Sequence, residues 1–137
     1  MADLQVVAEI GDSDAQRIVE ILAAHGDEQG FYWDRNPVGI LIKDRDTLIG
    51  GLSGDILFNW FYVSRLAVAP ESRDEGHGRK LMEEAERVAR ERGCAGIWLN
   101  TYSFQAPDFY RKLGFAEFGA LENNPRGGRR YFLRKYF

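Results

Sequence analysis

Apolar and polar positions change their spacing several times along the chain, and each change predicts an element. Residues 4 to 10, "LQVVAEI", read as a short strand. Ser13-x-x-Gln16 has the form of a capping box, and Ile18, Val19, Leu22 and Ala23 then recur at helical spacing until His25-Gly26. The stretch "GDEQGFYWDRNP" loses the period and reads as a loop or a short broken helix. "VGILIK", "LIGGLSGDILF" and "FYVSRLAVAP" are three strands with short connections, which predicts an antiparallel meander ended by Pro70.

The strongest helix covers residues 77 to 92. Leu81, Met82, Ala85, Val88 and Ala89 form one apolar stripe, Glu83/Arg87 and Glu86/Arg90 are spaced to pair on the wet face, and Gly93 follows the last turn. "AGIWLNT" is a short buried strand. A strand, a crossover helix and a strand make the two flanking strands parallel. Pro107 opens a further helix that ends at Leu113-Gly114, and "FAEFGAL" and "RRYFLRKYF" flank the turn-rich "ENNPRGG". The order β-α-β-β-β-α-β-α-β-β predicts one α/β (α+β) domain over residues 1–137: a mixed, mostly antiparallel sheet of six to seven strands with helices on its faces.

Composition narrows the classes. With 137 residues, 45% hydrophobic and 28% charged, the chain can bury a core. A net charge of −3 argues against a nucleic-acid partner. Its apolar runs fall short of the roughly 20 residues that span a membrane. The N-terminus has no export signal, and the single Cys94 excludes an internal disulfide and fits a cytoplasmic location. Cys94 sits at a helix-to-strand junction as a buried packing residue.

One segment asks for chemistry. "RDEGHGRK" places Arg73-x-x-Gly76-x-Gly78 between a strand and a helix. Helix N-terminal N–H groups lack internal partners and carry the positive end of the helix dipole, so they favour an anion. Two glycines let the backbone come close to it, and Arg73 adds a charge-assisted donor. The loop is neither a Walker A motif, lacking Gly-Lys-Ser/Thr, nor a dinucleotide fingerprint, since Leu81 stands at its third glycine. The plain alternative is a turn, and Asp74 and Glu75 strengthen it by placing negative charge beside the loop.

The second segment is "SFQAPDFYRKLGF", Ser103 to Phe115, with Tyr110 one turn before a helix end. By itself such a tyrosine is a packing residue. Together with the glycine loop after "SRLAV", it resembles the GNAT superfamily of N-acetyltransferases, in its small bacterial branch. The order of strands and helices agrees, and the resemblance covers nearly the whole chain.

That resemblance implies acetyl-CoA as co-substrate and direct transfer to a primary amine. It implies that the pyrophosphate sits on the N–H groups of Glu75, Gly76, His77, Gly78 and Arg79, with Arg73 and Asp74 of the same loop also at the cofactor. The pantetheine arm would pair with Leu66, Ala67 and Val68, with Ser103, Ala106 and Phe109 beside it. The strand ending at Val68 and the one beginning near Gly96 would part to hold the thioester, a strand N–H near Val68 would receive the oxyanion, and Tyr110 would protonate the leaving thiolate.

Two positions depart from the family pattern: Asp74 replaces a frequent glycine, and Ser103 stands where an asparagine often reaches the cofactor arm, so that it either reaches the arm itself or caps the helix. Asp55 and Glu71 are candidate general bases. Tyr32, Trp33, Trp60 and Tyr62, with Phe31 and Asp34, are candidates for the acceptor pocket of a small-molecule amine. Arg126, Arg129 and Arg130 meet an anion or are solvated. His77 faces the cofactor or solvent, and no residue cluster has metal-ligand spacing. Alternative readings are a non-catalytic acyl-CoA-binding regulatory domain and a protein lysine or N-terminal acetyltransferase. Exposed edge strands and the aromatic last strand predict a homodimer.

Overall fold

The structure, a computed structural model, describes all 137 residues. They group into two units, Met1–Trp33 and Asp34–Phe137.

The first unit is helix α1, Asp12–Glu28, with the segments around it. Residues 4 to 10 form no strand, contrary to the sequence expectation, and Leu4 and Val6 are 99% and 98% exposed. Alternation alone does not make a strand, because its backbone groups need a partner. The capping box does not form either: Gly11 is the N-cap and no side chain caps the helix. The helix also runs past His25-Gly26. Gly26 is where the chain folds back, because the Phe31 N–H donates to the Gly26 carbonyl at 2.9 Å and a Cβ on Gly26 would lie 2.7 Å from the Phe31 oxygen.

The second unit holds β1 (Arg35–Asp44), β2 (Thr47–Leu57), β3 (Trp60–Val68), α2 (His77–Glu91), β4 (Gly96–Tyr102), α3 (Pro107–Lys112), β5 (Ala116–Glu122) and β6 (Arg129–Tyr136). The six strands form one sheet in the order β1-β2-β3-β4-β6-β5. Only β3 and β4 are parallel, as the crossover through α2 requires.

The period-2 pattern sorts the side chains. Leu52, Ile56, Phe61, Val63, Ile97, Leu99 and Leu133 are buried on one face, where Leu81, Met82, Ala85 and Ala89 of α2 join the same cluster. Phe109 and Tyr110 of α3, and Leu113 just after it, pack against it too. Burial of Cys94 beside this cluster holds its thiol above the ordinary value, against a smaller pull from Arg92. On the wet side of α2, Arg90 pairs with Glu86 at 3.0 Å as expected. Arg87 turns instead to Glu84 and Glu91, and Glu83 faces Arg79, because i,i+3 and i,i+4 neighbours compete for one guanidinium.

Candidate functional site

β3 and β4 pair only from Trp60↔Gly96 to Val63↔Leu99. Yet β3 continues to Val68 and β4 to Tyr102. Beyond Val63 the two strands part into a fork, leaving that edge of β3 without a strand partner. The parting coincides with a bulge. Ser53 of β2 faces Arg65 and Gly54 faces Val63, so Ser64 is the extra residue. Ser64 donates its hydroxyl proton to the Ser53 carbonyl at 2.9 Å, so the Ser53 hydroxyl must donate across the 3.1 Å hydroxyl contact. Gly54 is required here, because a Cβ would collide with the Tyr62 carbonyl.

The glycine loop lies between β3 and α2. Ala69 closes back on β2 through its N–H to the Ile49 carbonyl, and Pro70–Ser72 form a 3-10 turn that carries Glu71 exposed. Asp74 and Gly76 both take positive φ, 64° and 80°. Gly76 is the N-cap of α2, with no side-chain cap, and its carbonyl accepts the Lys80 N–H at 3.1 Å. The N–H groups of His77, Gly78 and Arg79 therefore precede the first intrahelical bond and point out of the helix end.

Arg73 Nε donates to the Val68 carbonyl at 3.3 Å, which ties the loop to the end of β3 and leaves the terminal guanidinium nitrogens unused by that bond. His77 does not face solvent: its side chain is 15% exposed, Nε2 contacts Glu75 Oε2 at 2.9 Å, and Nδ1 is buried without a partner. The carboxylate of Glu75 is thereby drawn onto His77.

α3 meets this helix end. A Cβ on Gly78 would crowd the Phe109 ring at 3.3 Å, so the glycine gives the tyrosine helix a close seat against the loop. Tyr110 packs edge-on against Phe109 and Phe115, at ring separations of 5.1 and 6.0 Å. Burial pushes its phenol above the ordinary value of 10. Ala106 is the N-cap of α3 and no side chain caps it. Ser103 therefore does not cap the helix. Its Oγ accepts the Arg129 N–H at 3.1 Å, because the β4–β6 ladder continues past Tyr102 and takes it up.

The sheet face away from α2 and α3 is aromatic. Tyr62 and Trp98 lie 4.3 Å apart between ring centres, Trp60 meets Tyr136 edge-on, and Phe118 bridges Trp98 and Phe132. Trp60 and Tyr62 are thus both sheet packing and part of this surface. Tyr32 and Trp33 belong to the N-terminal unit, where they are 71% and 47% exposed. Asp55 lies opposite Tyr62 in register and its carboxylate is paired with Arg35 at 2.8 Å.

Sequence reading missed Asn100. It is the first β4 residue beyond the last β3 partner, and its Nδ2 donates to Tyr62 Oη at 3.1 Å while its Oδ1 accepts from Arg130 Nε at 2.9 Å. The alternation in "GIWLNTY" already places Trp98, Asn100 and Tyr102 on one face.

Comparison with known proteins agrees with this architecture. The Acetyltransferase (GNAT) family model matches residues 9–115. An acetyltransferase of Agrobacterium fabrum is 31% identical over 134 residues, covering 96% of this chain and 98% of that protein. The blasticidin-S acetyltransferase of Streptomyces morookaense is 37% identical over 93 residues, 67% of this chain and 68% of that one. A crystal structure of an acetyltransferase from Bacillus cereus superposes with a TM-score of 0.82 at 27% identity, covering 97% and 98% of the two chains. No helix is long and apolar enough to cross a membrane. A family match of this span, with relatives of nearly equal length, shows that the chain belongs to the GNAT family and is an N-acetyltransferase.

Proposed function

We propose that this N-acetyltransferase takes the acetyl group of acetyl-CoA and passes it directly to a primary amine of a small molecule, with Tyr110 as the acid. The family match spans both structural units, which supports a single acetyltransferase domain over 1–137. The blasticidin-S acetyltransferase among the relatives supports a small-molecule acceptor. A homodimer in the cytoplasm is part of the same proposal, on the sequence grounds given above.

The observation that carries the reading is the junction of the fork with the two helices. β3 and β4 stop pairing after Val63↔Leu99, and Gly78 lets the α2 N-terminus touch α3 through Phe109. The residues fit the donor. The uncapped first turn of α2 offers three N–H groups and the positive end of a 15-residue helix to a phosphate. Arg73 uses only Nε on the Val68 carbonyl, and Glu75 is held by His77. The unpaired edge of β3, Leu66 to Val68, can receive an extended amide-bearing arm as an added strand.

Acetyl-CoA supplies a thioester carbon for the amine and a thiolate that must leave. Tyr110 gives its proton to that sulfur as the C–S bond breaks, and the proton the nitrogen sheds on becoming an amide returns through solvent to restore the phenol. Because burial raises its pKa, the phenol stays neutral throughout the physiological range and can donate. Neither Asp55, ion-paired with Arg35, nor Glu71, exposed in the 3-10 turn, stands as an isolated base. The remaining rate enhancement is assigned to positioning on the fork.

Tyr110→Phe tests this. Thiol release from acetyl-CoA should fall by about 10²–10⁴-fold, the usual weight of a positioned acid, while acetyl-CoA still raises the unfolding midpoint as in the wild type. Turnover that is unchanged removes Tyr110 from the chemistry. In the wild type the acid must be protonated to act. On the alkaline side the rate should therefore be lost only as pH rises past the raised phenol value, and an alkaline fall near neutrality assigned to this group would contradict it.

A further inference from the structure

On the aromatic face, three arginines have no carboxylate partner. The ion pairs of the strands go to Arg35, Arg129 and Lys135 and to the α3 residue Arg111. None goes to Arg65, Arg130 or Arg134. Arg134 lies over the Phe118 and Tyr136 rings but is exposed, whereas Arg130 adds a hydrogen bond to its ring contacts. Arg130 is partly buried, its Cζ lies 5.5 Å from the Tyr102 ring centre and 5.2 Å from that of Phe132, and its Nε donates to Asn100. Cation–π contacts at these distances and one hydrogen bond restrict a side chain that would otherwise lose much rotamer freedom on binding.

The bonds also fix direction. Arg130 can only donate, so Asn100 must turn its oxygen to Arg130 and its amide N–H to Tyr62. Tyr62 Oη then accepts, and its own proton is free for another partner. With Nε consumed, the guanidinium keeps the two parallel N–H groups at its tip, the pair that matches the two oxygens of a carboxylate. Asn100 is the first β4 residue beyond the pairing with β3, so this cation stands at the base of the fork. Arg65, exposed and opposite Ser53, adds a second unpaired positive charge on the other strand of the fork. Asp55, on the same face as Tyr62, already has Arg35 as its ion-pair partner at 2.8 Å.

We propose that the acceptor amine carries a carboxylate, and that the tip of Arg130, held by Asn100, Tyr102 and Phe132, receives it beside the β3–β4 fork. The inference rests on the acetyltransferase reading above and narrows its acceptor to an amino-acid-like class. Without that anion, a bare ammonium group would approach uncompensated cations. With it, the zwitterion brings its own counter-charge, and the arginines orient the amine toward the fork.

The test compares the proteinogenic amino acids and β-alanine with their decarboxylated amines, such as phenylalanine with phenethylamine, by thiol release from acetyl-CoA. The wild type should prefer at least one acid over its amine by about tenfold or more, the weight of a charge-assisted hydrogen-bond pair. Arg130→Gln should erase the preference by raising KM for the acid, and Arg130→Lys should restore part of it, because a point charge keeps attraction without the fork geometry. Should Arg130→Gln fail to fold, Arg130→Lys carries the same comparison with a smaller loss.

Absence of any preferred acid, or a preference that survives Arg130→Gln, overturns the proposal. Thermal stabilisation by acetyl-CoA, recorded on the same samples, separates the two readings. Stabilisation without acid selectivity sinks the carboxylate site alone, whereas no stabilisation and no turnover sinks the donor reading with it.

Discussion

Helices α1 and α2 are close in length, 17 and 15 residues, and both carry an apolar stripe in the sequence, but they differ in what that stripe does. α2 buries Leu81, Met82, Ala85 and Ala89, the last two completely. α1 buries nothing: Ile18, Val19, Ile21 and Leu22 are 41% to 58% exposed. The difference does not come from propensity. α2 is the crossover of a right-handed β-α-β unit, so its two ends are pinned by β3 and β4 and its stripe must face the sheet. No strand precedes α1, and neither of its ends is held in that way. Amphipathicity therefore predicts a helix, and within the Asp34–Phe137 unit it is the connection that makes α2 core.

The comparison breaks most easily at matched leucines. Leu81 is 1% exposed and Leu22 is 58% exposed. Leu81→Ala should cost about 2–5 kcal/mol, the usual range for a fully buried leucine including its cavity. Leu22→Ala should stay within about 0.5 kcal/mol, as at other exposed sites. Urea unfolding of both variants measures the contrast. A Leu22→Ala loss approaching that of Leu81→Ala would mean that the α1 stripe is buried in solution.

The same contrast explains what could be read from sequence. All six strands and α2 and α3 were legible, because period and turn residues coincide there. The parallel pairing followed from the crossover. The first "strand" was misread because Leu4 and Val6 alternate without any neighbour to pair with. Ser13 looked like a cap because a capping box is a local pattern, while the helix starts at Asp12, two residues before the Asp14 start that a Ser13 cap sets. In the site, the loop glycines and Tyr110 were legible as motifs. Asn100 and the direction of Arg130 were not, because they depend on where β3 and β4 stop pairing, a long-range register that no local spacing encodes.

A second difference lies in how α2 is fastened on its polar side. Lys135 of β6 reaches across to Glu86 Oε2 at 2.8 Å and to the Leu113 carbonyl at 3.0 Å, joining α2, α3 and the sheet through one partly buried ammonium. Burial alone would raise the Glu86 pKa, but the hydrogen bonds from Lys135 and Arg90 and their charges outweigh it, and the carboxyl is held below 4.5. A carboxylate depressed in the folded state contributes stability above its unfolded pKa and loses it as pH falls through the folded value. Lys135→Met should therefore cost about 0.5–1.5 kcal/mol at pH 7, because Glu86 Oε2 loses its donor while Arg90 stays on Oε1. The difference from the wild type should shrink as pH drops below about 4.5, where Glu86 takes up its proton in the unfolded chain and then in the fold. A cost independent of pH would assign the effect to lost packing of the lysine stem instead.

The smallest effect is expected at the start of α1, and it sharpens the comparison from the other side. Gly11 caps that helix at φ −67° and ψ 155°, a conformation open to any residue, and nothing lies within 4 Å of the place a Cβ would take. Gly11→Ser supplies the missing side-chain acceptor and removes backbone freedom from the unfolded chain, so helix α1 should gain only a few tenths of a kcal/mol. Amide exchange in residues 12–16 should slow by about twofold, and exchange in the buried strands should not change, because a helix without buried residues opens on its own. Slowing that extends to Ile97 and Leu133 would show that α1 and the sheet unfold as one unit, and the contrast between the two helices would then lie in surface exposure and not in cooperativity.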